Sequence, residues 1–150
     1  MTPKNPKIFL DTSVIFAAVL SPTGGARKLL LLGDARLMQL VVGPTVIREC
    51  QEVVQRQASA SRPILAHLLV SASLEISEAP TKKQISTAEM YVQYAPDGRV
   101  LAEAIRARPD WFVTHDKEHF LKHRSQINLP FEIGTPGDVL QLFKDDYTQP

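Results

Sequence analysis

Residues 8–20 read IFLDTSVIFAAVL, a run of burial-prone side chains interrupted by one acid, Asp11. Lys7–Leu10 reads as a first strand and Thr12–Leu20 as a buried helix. A strand that passes straight into a helix opens a parallel α/β unit, whose sheet carries helices on its faces. Asp11 then stands at the carboxyl end of the strand, on the rim where open parallel sheets bind ligands.

Working outward, the loop SPTGG at Ser21–Gly25 stops the first helix. A second helix is expected over Ala26–Gly33 and a second strand over Leu37–Val42. Pro44 opens a third helix at the position where a missing N–H costs nothing. Helices are then expected over Pro63–Ala72, Lys82–Tyr94 and Gly98–Arg108, with strands at Leu74–Ser77 and Trp111–Thr114. Phe131–Ile133 is the last strand and Pro136–Phe143 the last helix, followed by a polar tail from about residue 144. With 150 residues, no internal repeat and no long linker, the chain is expected to form one α/β domain over 1–150.

The net charge of +1 creates no strong field of either sign, so the total names no nucleic-acid or membrane partner. The single cysteine, Cys50, rules out an internal disulfide framework and suits a reducing compartment; its place in an apolar helical pattern favours a buried structural thiol. The longest apolar runs fall short of the roughly 20 residues that cross a bilayer, and the start, MTPKNPK, lacks the apolar region of a signal peptide. A soluble, cytoplasmic protein with no membrane partner is expected.

Three more acids are placed by the pattern. Asp116 follows the late strand in WFVTHD, on the same rim as Asp11. At about 100° per residue, Glu49 borders the stripe formed by Val46, Ile47, Cys50, Val53 and Val54, whereas Glu52 faces water. Asp97, in APDGRVLAEA, projects onto the apolar face set by Val100, Leu101, Ala104 and Ile105. Helix capping is an alternative for Asp11, Asp97 and Asp116, and a solvated side chain for Glu49. Asp11 is partly redundant as a cap, because Thr12 and Ser13 beside it could serve. Four carboxylates on one edge would repel one another: at an effective dielectric of about 20, two like charges ~4 Å apart cost on the order of 4 kcal/mol. Protons or a cation must relieve them, and Mg²⁺ or Mn²⁺ suits an oxygen-only site. Such ions activate water and hold phosphate oxygens, so the chemistry implied is phosphodiester hydrolysis.

At these residues the chain resembles the PIN domain family, in its toxin branch, the ribonuclease partners of bacterial and archaeal toxin–antitoxin pairs. The resemblance is carried by FLDTS at Asp11, VIRECQEV at Glu49, PDGRVLAEA at Asp97, FVTHDKEHF at Asp116 and the closing FEIGTPGDVLQLF, in family order over nearly the whole chain. It implies a three-layer α/β/α fold, divalent-metal-dependent RNA cleavage, homodimerisation and inhibition by a cognate antitoxin. It also implies that Asp11, Asp97 and Asp116 are metal ligands, that Glu49 is a ligand or supporting acid, and that Thr114 braces Asp11. Glu118 stands where relatives often carry another acid. Two departures are visible: Asp11-Thr12-Ser13 replaces the common Asp-Thr-Asn, and Gly98 occupies a position where relatives often have a second acid.

RNA contact requires cations near the rim. Arg99 and Lys117 are the expected pair, other basic residues being assigned to ordinary solvated surface. His115 and His119 have a spacing capable of binding zinc, but no cysteine lies nearby, so both are read as polar surface. Trp111 and Phe112 are read as core aromatics. The first expectation is therefore a metal-dependent endoribonuclease. A second, kept open by Gly98, is a PIN-like module that binds RNA or protein with weak or absent catalysis. A receiver-like domain also gathers acids at strand ends, but requires a lysine after a late strand, and Lys117 is too close to Asp116 for that role.

Overall fold

The computed structural model describes residues 5–148, with side chains through residue 145. The first four residues, part of the segment read as lacking a leader, and the last two lie outside the described residues. Five strands, β1 (Lys7–Leu10), β2 (Gln39–Val42), β3 (Glu75–Ile76), β4 (Trp111–Val113) and β5 (Glu132–Gly134), form one parallel sheet in the order β3-β2-β1-β4-β5. Seven helices cover it: α1 (Thr12–Leu20), α2 (Gly25–Asp34), α3 (Pro44–Gln57), α4 (Arg62–Ser71), α5 (Lys82–Glu89), α6 (Ala95–Ala107) and α7 (Pro136–Thr148). The architecture is the expected three-layer α/β/α. No single helix among the described residues is long and apolar enough to cross a membrane.

The strand order reverses at β1. The chain leaves β1 toward β2 and β3 on one side, then crosses back to β4 and β5 on the other. Adjacent carboxyl ends of β1 and β4 therefore flank the switch point, where the connecting segments diverge and open a crevice. Register makes this junction rigid. Leu10 pairs with Val113, the Asp11 N–H donates to the Val113 carbonyl at 3.0 Å, and the Thr114 N–H donates to the Gly134 carbonyl at 3.0 Å.

The core beneath this rim is aromatic and aliphatic. Phe112, fully buried in the middle of β4, stacks on Phe9 at 5.7 Å between centroids and meets Phe120 at 4.8 Å and Phe131 at 6.4 Å. Trp111 is only half-buried, because it lies toward the start of β4 beside the edge strand β5. Cys50 is fully buried, as its pattern required, and burial with the charges of Asp11 and Glu49 pushes its thiol up to about 12. A buried thiol held protonated in this way is no nucleophile at neutral pH.

Three boundaries differ from expectation by more than two residues, each for a physical reason. The helix expected over Lys82–Tyr94 ends at Glu89; residues 90–94 form a turn that leaves Met90 and Tyr94 exposed. The next helix begins at Ala95 rather than Gly98, since Pro96 in its first turn removes an N–H that has no helical partner there. The last helix runs on to Thr148 instead of stopping at Phe143. No glycine or proline breaks it, and Gln141 donates across one turn to Asp145 at 2.9 Å, so residues 144–148, read as part of a polar tail, continue the helix.

Candidate metal centre

Asp11 occupies the N-cap position of α1 but makes no capping hydrogen bond. Its carboxylate is 6% exposed and turned into the switch-point crevice, where Oδ2 accepts from Thr114 Oγ1 at 2.7 Å and from Ser13 Oγ at 3.1 Å. Burial, opposed by these hydrogen bonds and aided by the charge of Asp116, raises its pKa above the usual carboxylate range. Thr12 and Ser13 do not cap the helix either. Thr12 Oγ1 donates to Glu49 Oε1 at 3.1 Å, and Ser13 Oγ also accepts the His115 N–H at 3.0 Å.

Thr114 is fully buried and ties two acids together. Its hydroxyl donates to Asp11 while accepting the Asp116 N–H at 2.9 Å, so one side chain sets the spacing between the ends of β1 and β4. Asp116 caps no helix, because only a turn follows it. Oδ1 accepts the His119 N–H at 3.0 Å and closes the local turn, leaving Oδ2 facing His119 Nδ1 at 3.0 Å.

Asp97, in the first turn of α6, caps nothing. Its Oδ2 is buried and has no hydrogen-bond partner, although it lies 2.6 Å from His119 Nδ1. Burial pushes the Asp97 carboxyl up to about 6; His119 opposes the shift, while the charges of Asp11, Asp116 and Glu49 add to it. That electrostatic coupling is the mutual repulsion expected of converging acids. Glu49, half-buried on α3, is likewise raised, first by burial and then by the charge of Asp11.

Ligand-capable atoms of Asp97, Asp116 and His119 all lie within 4.8 Å of one another. Asp11 and Glu49 border that group closely enough to perturb its charge. The donor set, mainly oxygens with one nitrogen, together with a buried carboxylate oxygen lacking a partner, fits a small divalent cation. Glu118, Lys117 and Arg99 are exposed beside the cluster, on the turn after β4 and the first turns of α6. His119 was read from the sequence as surface. It is partly exposed, but the turn closed by Asp116 folds its ring back onto the acids, and Tyr94 stacks on the other side at 5.2 Å and 13°.

Glu103 escaped the sequence reading altogether. On α6 it is fully buried, and its carboxylate accepts the Thr45 N–H through both oxygens, at 2.6 and 3.3 Å. It thereby satisfies the N-terminus of α3, the helix that carries Glu49. Gly43 makes the room: a Cβ there would lie 2.6 Å from Glu103 Oε2.

A parallel three-layer domain with acids gathered at its switch point presents them where open α/β sheets bind ligands, at the carboxyl ends of the strands. The PIN domain profile matches residues 7–118, and the chain belongs to the PIN domain family. Among solved structures the fold is similar to VapBC2 from Rickettsia felis bound to a DNA fragment from its promoter, with a TM-score of 0.62 and 16% identity over 85% of this chain and 96% of the other. It is also similar to VapC20 from Mycobacterium tuberculosis, a Sarcin-Ricin loop cleaving toxin, with a TM-score of 0.53 and 14% identity over 75% and 92%. No curated protein matches the chain significantly in sequence.

Proposed function

We propose that this protein is a divalent-metal-dependent endoribonuclease, the toxin of a toxin–antitoxin pair. The observation that carries the reading is the convergence of Asp97 and Asp116 at the switch point, beside Asp11, with the buried Asp97 Oδ2 lacking a hydrogen-bond partner. Membership of the PIN family supports nuclease chemistry, and similarity to VapBC2 and to a toxin that cleaves the Sarcin-Ricin loop supports RNA as substrate and an antitoxin as partner. The reading extends to a homodimer acting in the cytoplasm.

In this reading Asp11, Asp97 and Asp116 hold the ion, either Mg²⁺ or Mn²⁺. Bound there, such an ion neutralises phosphate oxygens and supplies a nucleophile from water. Thr114 and Ser13 fix the Asp11 carboxylate, and Thr12 fixes Glu49. Glu49, at the edge of the cluster and held by Thr12, would serve there as a proton acceptor. Arg99 and Lys117, exposed and close in the chain to Asp97 and Asp116, would draw the phosphate backbone toward the acids. Glu118 adds negative charge next to His119.

Mixed single-stranded RNA incubated with the native protein should be cut when Mg²⁺ or Mn²⁺ is added and left intact in excess chelator. Cleavage that persists in chelator would defeat the metal assignment. Gly98 favours the second reading, a binding module with weakened catalysis, and RNA binding without cleavage at any metal concentration would select it.

A further inference from the structure

Besides the acids, one side-chain nitrogen stands at the cluster, that of the His119 ring. Asp116 Oδ1 holds the His119 N–H, which turns the side chain back over the cluster. Nδ1 then lies 3.0 Å from Asp116 Oδ2 and 2.6 Å from Asp97 Oδ2, while Tyr94, stacked on the ring, fixes its plane. Adjacent ligands on a six-coordinate ion with bonds of about 2.1 Å stand roughly 3 Å apart. Two of the three pairs thus stand about as far apart as neighbours on one ion, and one ligand-capable atom from each of the three residues lies within 4.8 Å of the others.

We propose that His119 Nδ1 is a ligand of the same divalent ion as Asp97 and Asp116, and that this nitrogen biases the site toward Mn²⁺ over Mg²⁺. The proposal rests on reading the cluster as a metal centre. Imidazole in the tautomer protonated at Nε2 offers Nδ1 as a lone pair. Nitrogen donors suit transition ions, whereas Mg²⁺ prefers oxygen and keeps its waters. His115, four residues earlier, is exposed and contributes only its backbone N–H to Ser13, so the two histidines do not act as a pair.

A rival role is distinguishable by sign. If His119 served only as a resident cation balancing the acids, removing it would free them and tighten binding of both ions alike. The test uses electron paramagnetic resonance of Mn²⁺ bound to the full chain, with electron spin-echo modulation from ¹⁴N and Mg²⁺ competition, on native protein, His119→Ala and His119→Gln. Native protein should show nitrogen coupling that both variants lose, and His119→Ala should bind Mn²⁺ about 10-fold or more weakly while its Mg²⁺ affinity changes about threefold or less. Absence of nitrogen coupling in native protein, tighter binding of both ions by His119→Ala, or unchanged Mn²⁺ affinity would overturn the assignment. Equal weakening for both ions would overturn the selectivity. If native protein binds Mn²⁺ and cleaves RNA without nitrogen coupling, only the His119 assignment fails; if it binds no Mn²⁺, the metal-centre reading falls with it.

Discussion

Asp11→Asn is expected to lower RNA cleavage at least about 100-fold, at or beyond the upper end of what loss of a supporting group costs a metal site. The same substitution should leave the metal-free protein as stable as before, or more so. Both outcomes follow from one geometry. Asp11 is 6% exposed, its carboxylate is disfavoured as an anion by burial and by Asp116, and asparagine keeps an oxygen that can accept from Thr114 and Ser13. A charge that destabilises the empty site is retained because it is needed when the site is filled, the usual trade between stability and activity. Initial cleavage rates and thermal midpoints measured on the same preparations check both halves. A rate within about threefold of native would remove Asp11 from the reaction, and a large drop in midpoint would make it structural.

Glu103→Ala is expected to cost substantial stability away from the metal centre. It strips the Thr45 N–H of a charged acceptor, removes a carboxylate from a helix N-terminus and opens a cavity beneath Gly43. An orphaned buried donor and a lost cap together cost about 3 kcal/mol, a fall in midpoint of roughly 6–12 °C for a chain of this size. Gly43→Ala should act in the same direction, since its Cβ would displace the same carboxylate. Denaturant unfolding of both variants measures the effect, and a loss under about 0.5 kcal/mol for Glu103→Ala would contradict this account of the buried carboxylate.

The parallel sheet and the placing of Asp11 and Asp116 were legible because a short apolar run followed at once by an acid carries its own geometry. The strand supplies direction, and the end of the strand supplies the rim. Glu49 and Asp97 were legible only as angles on helices, and the structure turns both toward the cluster. The turn at residues 90–94 was missed because its apolar residues, Met90, Tyr91 and Val92, extend the helical pattern, and only position in the fold leaves Tyr94 free to stack on His119. His119 was missed because a local turn, not a periodic element, aims its ring. The available signal was an acid three residues earlier, able to bond the His119 N–H and curl the chain. Glu103 was missed because its partner, Thr45, is a backbone donor 58 residues away, and no pattern in one chain segment encodes such a meeting.

Thermal unfolding of native protein from about pH 5 to about pH 8, with and without Mn²⁺, tests most directly whether the acids are held together at a cost that a cation relieves. Asp97 is raised from 3.8 to about 6 in the folded state, so between those values the folded chain keeps a proton that the unfolded chain has released, and stability falls as pH rises. His119, raised above 6.5 chiefly by its bond to Asp116, contributes stability that is present below the unfolded value and lost as pH climbs through the folded one, in the same direction. Glu78 is shifted the opposite way by Arg106, but its window lies below about pH 4.5 and outside the scan. The midpoint of the metal-free protein should therefore decline toward pH 8, and Mn²⁺ should restore it, most strongly at the alkaline end. A metal-free midpoint that stays level or climbs, with no response to Mn²⁺ anywhere in the range, would contradict the account.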